Sequence, residues 1–185
     1  MKKGFREYVF VINKSEAFAN VQEEVIAGFN AIVDAQKSSD KETAFTLAFF
    51  SNEPRISANG KPMSLMRKYN SKTYAPKGGS ALYDALGEVI DLVGERLDAA
   101  EEAERPEKVS VFVISSADDA STVFTREALY DKVGCQRFTY KWDFRFYGTG
   151  GEDINIADGM FLSKITKKDI AKAFEAINKV ITAER

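Results

Sequence analysis

Three short, unbroken apolar runs punctuate the chain: Tyr8 to Ile12, Ala44 to Phe50 and Val109 to Ile114. Each has the length and the β-branched or aromatic content of a strand buried on both faces. Between the runs the spacing changes. Phe18, Val21, Val25, Phe29 and Ile32 recur at helical intervals, as do Leu82, Leu86, Val89, Ile90, Val93 and Leu97, and both sets predict amphipathic helices. The second helix is introduced by Lys77-Gly78-Gly79-Ser80 and finished by the charged stretch from Glu101 to Glu107. Another helix is expected around Glu127 to Val133. A last one carries the stripe Ile170, Phe174, Ile177 and Ile181, with Thr166 as its cap and Asp169 placed for a capping box. Pro54 and Pro62 bracket an irregular stretch in which a short edge strand is expected near Arg55 to Ser57.

From Phe138 to Tyr147 the pattern becomes a strict alternation. Phe138, Tyr140, Trp142, Phe144 and Phe146 fall on one face, with Thr139, Lys141, Asp143 and Arg145 on the other. One wet face predicts a strand near a sheet edge, its aromatic side packed under a helix.

Strand and helix signals thus alternate, and no linker or composition shift divides them. The expectation is a single domain over 1–185 of α/β class: three-layer, Rossmann-like and doubly wound, with a mainly parallel central sheet and helices on both faces. In such sheets ligands bind beyond the carboxyl ends of the strands, where strand order reverses. That rule selects four loops, at 13–17, 77–80, 115–121 and 148–153.

Composition narrows what those loops can do. Lys and Arg number 26 against 28 Asp and Glu, a formal charge of -2, so the basic footprint of a nucleic-acid binder is missing. The chain has no histidine, which removes the commonest general base and transition-metal ligand together. The one cysteine, Cys135, forms no internal disulfide, which fits a reducing compartment, or serves as a small buried hydrophobe. Charges at Lys2, Lys3, Arg6 and Glu7 interrupt any signal-peptide core, and no apolar run approaches a membrane span. A cytoplasmic protein without membrane contact is the expectation. No phosphate-binding fingerprint follows the first strand, and Gly78-Gly79-Ser80 lacks the residues that complete a P-loop.

Several segments in order carry a family likeness. Tyr8-Val9-Phe10-Val11-Ile12 runs into Asn13-Lys14-Ser15-Glu16-Ala17, and Gly28-Phe29-Asn30 follows in the first helix. Tyr74 to Ala85 contains Gly78-Gly79-Ser80-Ala81-Leu82-Tyr83-Asp84-Ala85, and Arg105-Pro106-Glu107-Lys108-Val109 and Lys141-Trp142-Asp143-Phe144-Arg145-Phe146-Tyr147-Gly148 complete the set. Together these resemble the von Willebrand factor A domain, in particular its intracellular bacterial branch. The resemblance implies a protein-binding module with a metal ion-dependent adhesion site. In that site an Asp-x-Ser-x-Ser loop, a Thr and an Asp from three loops surround Mg²⁺ or Mn²⁺, and a partner carboxylate completes the coordination.

Here the leading Asp falls on Asn13, the two serines on Ser15 and Ala17, the Thr on Ser80, and the third-loop Asp near Ser116-Ala117, with Asp118 and Asp119 just beyond. Magnesium is normally anchored by one or two carboxylates, and these replacements remove both. The expectation is therefore a non-enzymatic protein-binding module without a resident cofactor. Its partner-facing residues would be Asn13, Lys14, Ser15, Glu16, Ser80, Asp118 and Asp119. Residual low-affinity Mg²⁺ or Mn²⁺ binding through Ser15, Ser80 and Asp118 is the alternative, and an enzymatic or nucleotide-binding cleft is a third. Ser15 and Ser80 also stand just before predicted helices, where serine is a favoured N-cap. Asn13 is expected to bond the turn that an Asp would have organised, and Asp84 to brace the neighbouring loop.

Overall fold

The computed structural model describes residues 1–37, 42–150 and 154–184. Six strands form one sheet: β1 (Lys2–Asn13), β2 (Thr43–Phe50), β3 (Pro54–Pro62), β4 (Pro106–Ser115), β5 (Asp143–Gly148) and β6 (Asp158–Phe161). The four helices are α1 (Gln22–Lys37), α2 (Leu82–Ala99), α3 (Arg126–Phe138) and α4 (Lys167–Ala183). The spatial order is β3-β2-β1-β4-β5-β6. All pairings are parallel except β2 with β3, so the expected doubly wound α/β architecture is present.

The unbroken apolar runs are explained by burial on both faces. Along β1, Tyr8, Phe10 and Ile12 pack under α1 and α4 with Phe29 and Phe174. The intervening Val9 and Val11 join Leu86, Val89 and Val133 under α2 and α3. Gly28 brings α1 against α4: a Cβ there would lie 2.3 Å from Cγ of Phe174. The caps of α3 and α4 follow the sequence. Thr125 accepts the Ala128 N–H, and Thr166 accepts the Asp169 N–H while its hydroxyl reaches the Asp169 carboxylate.

One acidic residue breaks the apolar pattern of β1. Glu7 is fully buried, where Arg96 of α2 and the Thr46 hydroxyl donate to its Oε1 at 2.5 Å and 2.7 Å.

The alternating stretch differs from expectation. Phe138 closes α3 and Tyr140 lies in the turn that follows, and both are exposed. Only Trp142, Phe144 and Phe146 face the core. The strand β5 does lie near the sheet edge, with β6 as the edge strand beyond it. Four residues containing a glycine, Asp158-Gly159-Met160-Phe161, are too few to show a periodicity, so the sheet's true edge is silent in the sequence. Cys135 is exposed on α3, which removes the buried-hydrophobe alternative. Among the described residues no helix is long and apolar enough to cross a membrane.

Candidate functional site

The strand order reverses at β1, whose neighbours are β2 on one side and β4 on the other. The carboxyl ends of β1 and β4 therefore adjoin at the crevice where open α/β sheets bind ligands. Ile12 pairs with Ile114, which places Asn13 and Ser115 at the two strand ends side by side.

Asn13 is fully buried and its side chain organises the crevice. Its Oδ1 accepts the Ser15 N–H at 2.7 Å. Its Nδ2 faces three hydroxyls, donating to Ser80 Oγ at 3.0 Å, Ser115 Oγ at 3.2 Å and Ser116 Oγ at 3.4 Å. A backbone N–H can only donate, so the bond from Ser15 fixes which end of the amide points to the serines. The Tyr74 hydroxyl donates to the Asn13 carbonyl at 2.6 Å, and burial holds the Tyr74 phenol protonated well above its ordinary range. The turn expected of Asn13 is present, and the amide also ties the ends of three loops together.

Backbone bonds hold those loops in place. The Glu16 N–H reaches the Gly78 carbonyl and the Lys77 N–H the Lys14 carbonyl, both at 2.9 Å, while the Ala120 N–H reaches the Ser80 carbonyl at 2.6 Å. Gly78 has φ +78 and its neighbour's N–H donates to Asn52 Oδ1 at 2.6 Å, a backbone conformation that glycine adopts without strain. Gly148 has φ +149, and a Cβ on it would stand 1.7 Å from the Ser115 carbonyl oxygen. Gly151, Glu152 and Asp153 of the fourth loop lie outside the described residues.

Neither serine caps a helix. Ser15 heads the short 3-10 turn Glu16–Val21 without a capping bond, and its buried Oγ has no hydrogen-bond partner. The cap position of α2 is Ala81, so Ser80 stands one residue outside and its Oγ accepts from Asn13 Nδ2 instead. The third loop performs the capping from across the crevice. Asp119 Oδ1 accepts the Tyr83 N–H at 3.2 Å and Ser121 Oγ the Asp84 N–H at 3.0 Å. In return the Asp84 carboxylate accepts the N–H groups of Thr122, Val123 and Phe124 at 2.8 Å, 2.9 Å and 2.7 Å. Asp84 therefore braces this loop as expected.

The remaining candidates lie around the rim. Lys14 is half-buried and donates to the Thr73 carbonyl at 3.0 Å. Burial, then the charges of Arg55 and Lys77, hold its ammonium below the ordinary lysine range. Glu16 and Asp118 are exposed; Asp118 makes no hydrogen bond or ion pair among the described residues and does not join the serine cluster. Sequence reasoning missed Ser115 and Tyr74 as members of the site. Two adjacent serines at the end of an apolar strand were the available signal for the first.

The donor set fits a metal ion poorly. A hard cation needs oxygen ligands carrying negative charge, whereas the position matching the family's leading Asp presents an amide N–H₂ to the hydroxyls that would otherwise turn their lone pairs to an ion. Lys14, Lys77 and Arg55 add positive potential beside it. Among the described residues no group of three or more acidic or cysteine side chains is placed to hold an ion.

The sequence matches no protein-family profile and no curated protein. Solved structures with related folds do exist. Proximal thread matrix protein 1 from the mussel byssus superposes with a TM-score of 0.64 at 16% identity, over 96% of this chain and 46% of its own. Another structure of that protein, with a TM-score of 0.61, has zinc in its metal ion-dependent adhesion motif. The vWF domain of the type V pili tip protein Mfa5 from Porphyromonas gingivalis gives 0.62 at 8% identity, over 96% of this chain and 95% of its own. A von Willebrand factor type A protein from Catenulispora acidiphila gives 0.54 at 13% identity, over 94% and 42%. This chain spans less than half the length of the mussel protein. Strand order, crevice and superposition together show that the chain has the fold of the von Willebrand factor A domain.

Proposed function

We propose that this chain is a protein-docking module on a von Willebrand factor A scaffold, whose partner-facing loops are held by hydrogen bonds rather than by an ion. The observation that carries the proposal is the Asn13 amide, locked by the Ser15 N–H and donating to the Ser80 hydroxyl at 3.0 Å. It joins the first and second loops, and through Ser115 and Ser116 the third, which is the mechanical role of an ion in such a site. Lys14, Glu16, Asp118 and Asp119 supply the outward chemistry. The lack of histidine removes the commonest general base, and together with the neutral hydroxyl cluster it supports a reading without catalysis.

The test is affinity capture from the native host with and without EDTA, beside a Lys14→Glu, Glu16→Lys variant. The expected outcome is a protein retained in EDTA and lost from the variant. Capture abolished by EDTA overturns metal independence, and capture unaffected by the variant overturns the assignment of the surface.

A second reading keeps residual Mg²⁺ or Mn²⁺ dependence through Ser15, Ser80 and Asp118. Its support is the Ser15 Oγ, buried without a hydrogen-bond partner. The opposing amide and the exposed position of Asp118 favour the first.

A further inference from the structure

At the opposite end of the sheet from these loops, near the start of β4, α2 and the chain entering β5 flank a cleft of about 490 Å³ that is open to solvent, with Glu95 and Asp98 exposed on its rim. That volume lies in the range of small-molecule sites. Its wall on α2 is the stripe Asp91, Gly94, Glu95 and Asp98, and the facing side carries Tyr140 and Trp142. Trp142 is 7% exposed, and its ring stacks on Phe144 at 6.1 Å between centroids. Gly94 is not required by close packing, since a Cβ there would meet only Gln136 Nε2 at 3.7 Å. A glycine inside a helix is less favourable than alanine, and here its missing side chain leaves the cleft open.

The charges select the ligand. Asp91 is paired with Lys132 at 2.5 Å, but Glu95 and Asp98 form no ion pair among the described residues. Arg105, the guanidinium on the wall, donates to the carbonyls of Ala100 and Asp98 at 3.0 Å and 2.8 Å and forms no ion pair with either carboxylate. These acids do not converge as metal ligands do. They are strung along a helix, where residues three or four apart stand about 5–6 Å from each other at Cβ. Spaced carboxylates over an aromatic surface suit spaced organic ammonium groups on an apolar chain, with the rings adding cation–π attraction.

We propose that this cleft binds a small aliphatic diamine or polyamine, its methylenes along Trp142 and Tyr140 and its ammonium groups on Glu95 and Asp98. The site is independent of the docking loops. Trp142 is the one tryptophan of the chain, so its emission reports occupancy directly. The purified chain is titrated with 1,4-diaminobutane and with spermidine at constant ionic strength, beside the neutral 1,4-butanediol. The expected result is a saturable emission change with both amines and none with the diol. Glu95→Gln with Asp98→Asn weakens binding about tenfold, as expected for losing charge-assisted contacts, and Gly94→Leu abolishes it while circular dichroism stays that of the parent. A parent without a saturable change, a diol as effective as the amines, or a charge-neutralised variant with parental affinity overturns the proposal.

Discussion

The side-chain amide of Asn13 donates to the hydroxyl of Ser80 across 3.0 Å, joining residues 67 positions apart in sequence. Both groups are buried, so removing either partner leaves polar atoms without water to replace it. Asn13→Ala is expected to cost about 2–3 kcal/mol and Ser80→Ala about 1 kcal/mol, measured by urea denaturation. Because the two share a bond, the double variant is expected to lose less than the sum. Strict additivity would show that the bond contributes nothing.

Asp84 accepts three backbone N–H groups from residues 122–124. Asp84→Ala removes them all and is expected to destabilise the chain by about 3 kcal/mol, in keeping with charge-assisted bonds to a buried carboxylate. Hydrogen exchange is expected to rise at Thr122, Val123 and Phe124 before any change in β1. Unchanged protection there would mean that the loop is held by other contacts.

Gly28 and Phe174 set the closeness of α1 and α4. Gly28→Ala forces the helices apart or the ring off its rotamer, at an expected cost of about 1–3 kcal/mol in thermal or urea unfolding. Phe174→Leu in the same chain should recover part of that loss, since it withdraws the ring atoms that the new methyl meets. A Gly28→Ala variant as stable as the parent would refute the steric reading.

Burial pushes the Tyr147 phenol up from 10.0 to about 12, and burial displaces Tyr74 in the same direction. A folded-state value above the unfolded one favours the neutral form in the fold. The resulting stability is fully present below about pH 10 and is lost as the pH rises towards about 12. Unfolding free energy should therefore fall steeply across that window, and Tyr147→Phe should flatten the fall. An identical alkaline slope in the variant would remove Tyr147 from its cause.

Much of the architecture was legible because burial on both faces writes an unbroken apolar run, as in β1, β2 and β4, while one-sided burial writes a helical stripe, as in α2 and α4. That the candidate loops share the carboxyl-end side of the sheet followed from the expected parallel pairing, whereas the strand order itself was not read from the sequence. The alternation at β5 correctly placed that strand near a sheet edge, but the strand beyond it was not legible, because the four residues of β6 carry no pattern. Helix-cap chemistry misled at Ser15 and Ser80, because a serine before a helix has the same sequence signature whether its hydroxyl turns to the helix or across the crevice. The long-range bonds to Asn13 decide that, and they join residues distant in the chain. Asn13 itself was readable, since an amide can retain the turn of the acid it replaces while reversing its polarity on one side.

Whether the crevice needs an ion is settled most directly by isothermal titration of the parent chain with Mn²⁺ and Mg²⁺, with Ser80→Ala alongside. An amide donor at Asn13 and cations at Lys14, Lys77 and Arg55 predict no binding tighter than millimolar for either ion, and no difference in the variant. Micromolar affinity that disappears with Ser80→Ala would contradict the hydrogen-bonded site and return the metal to it.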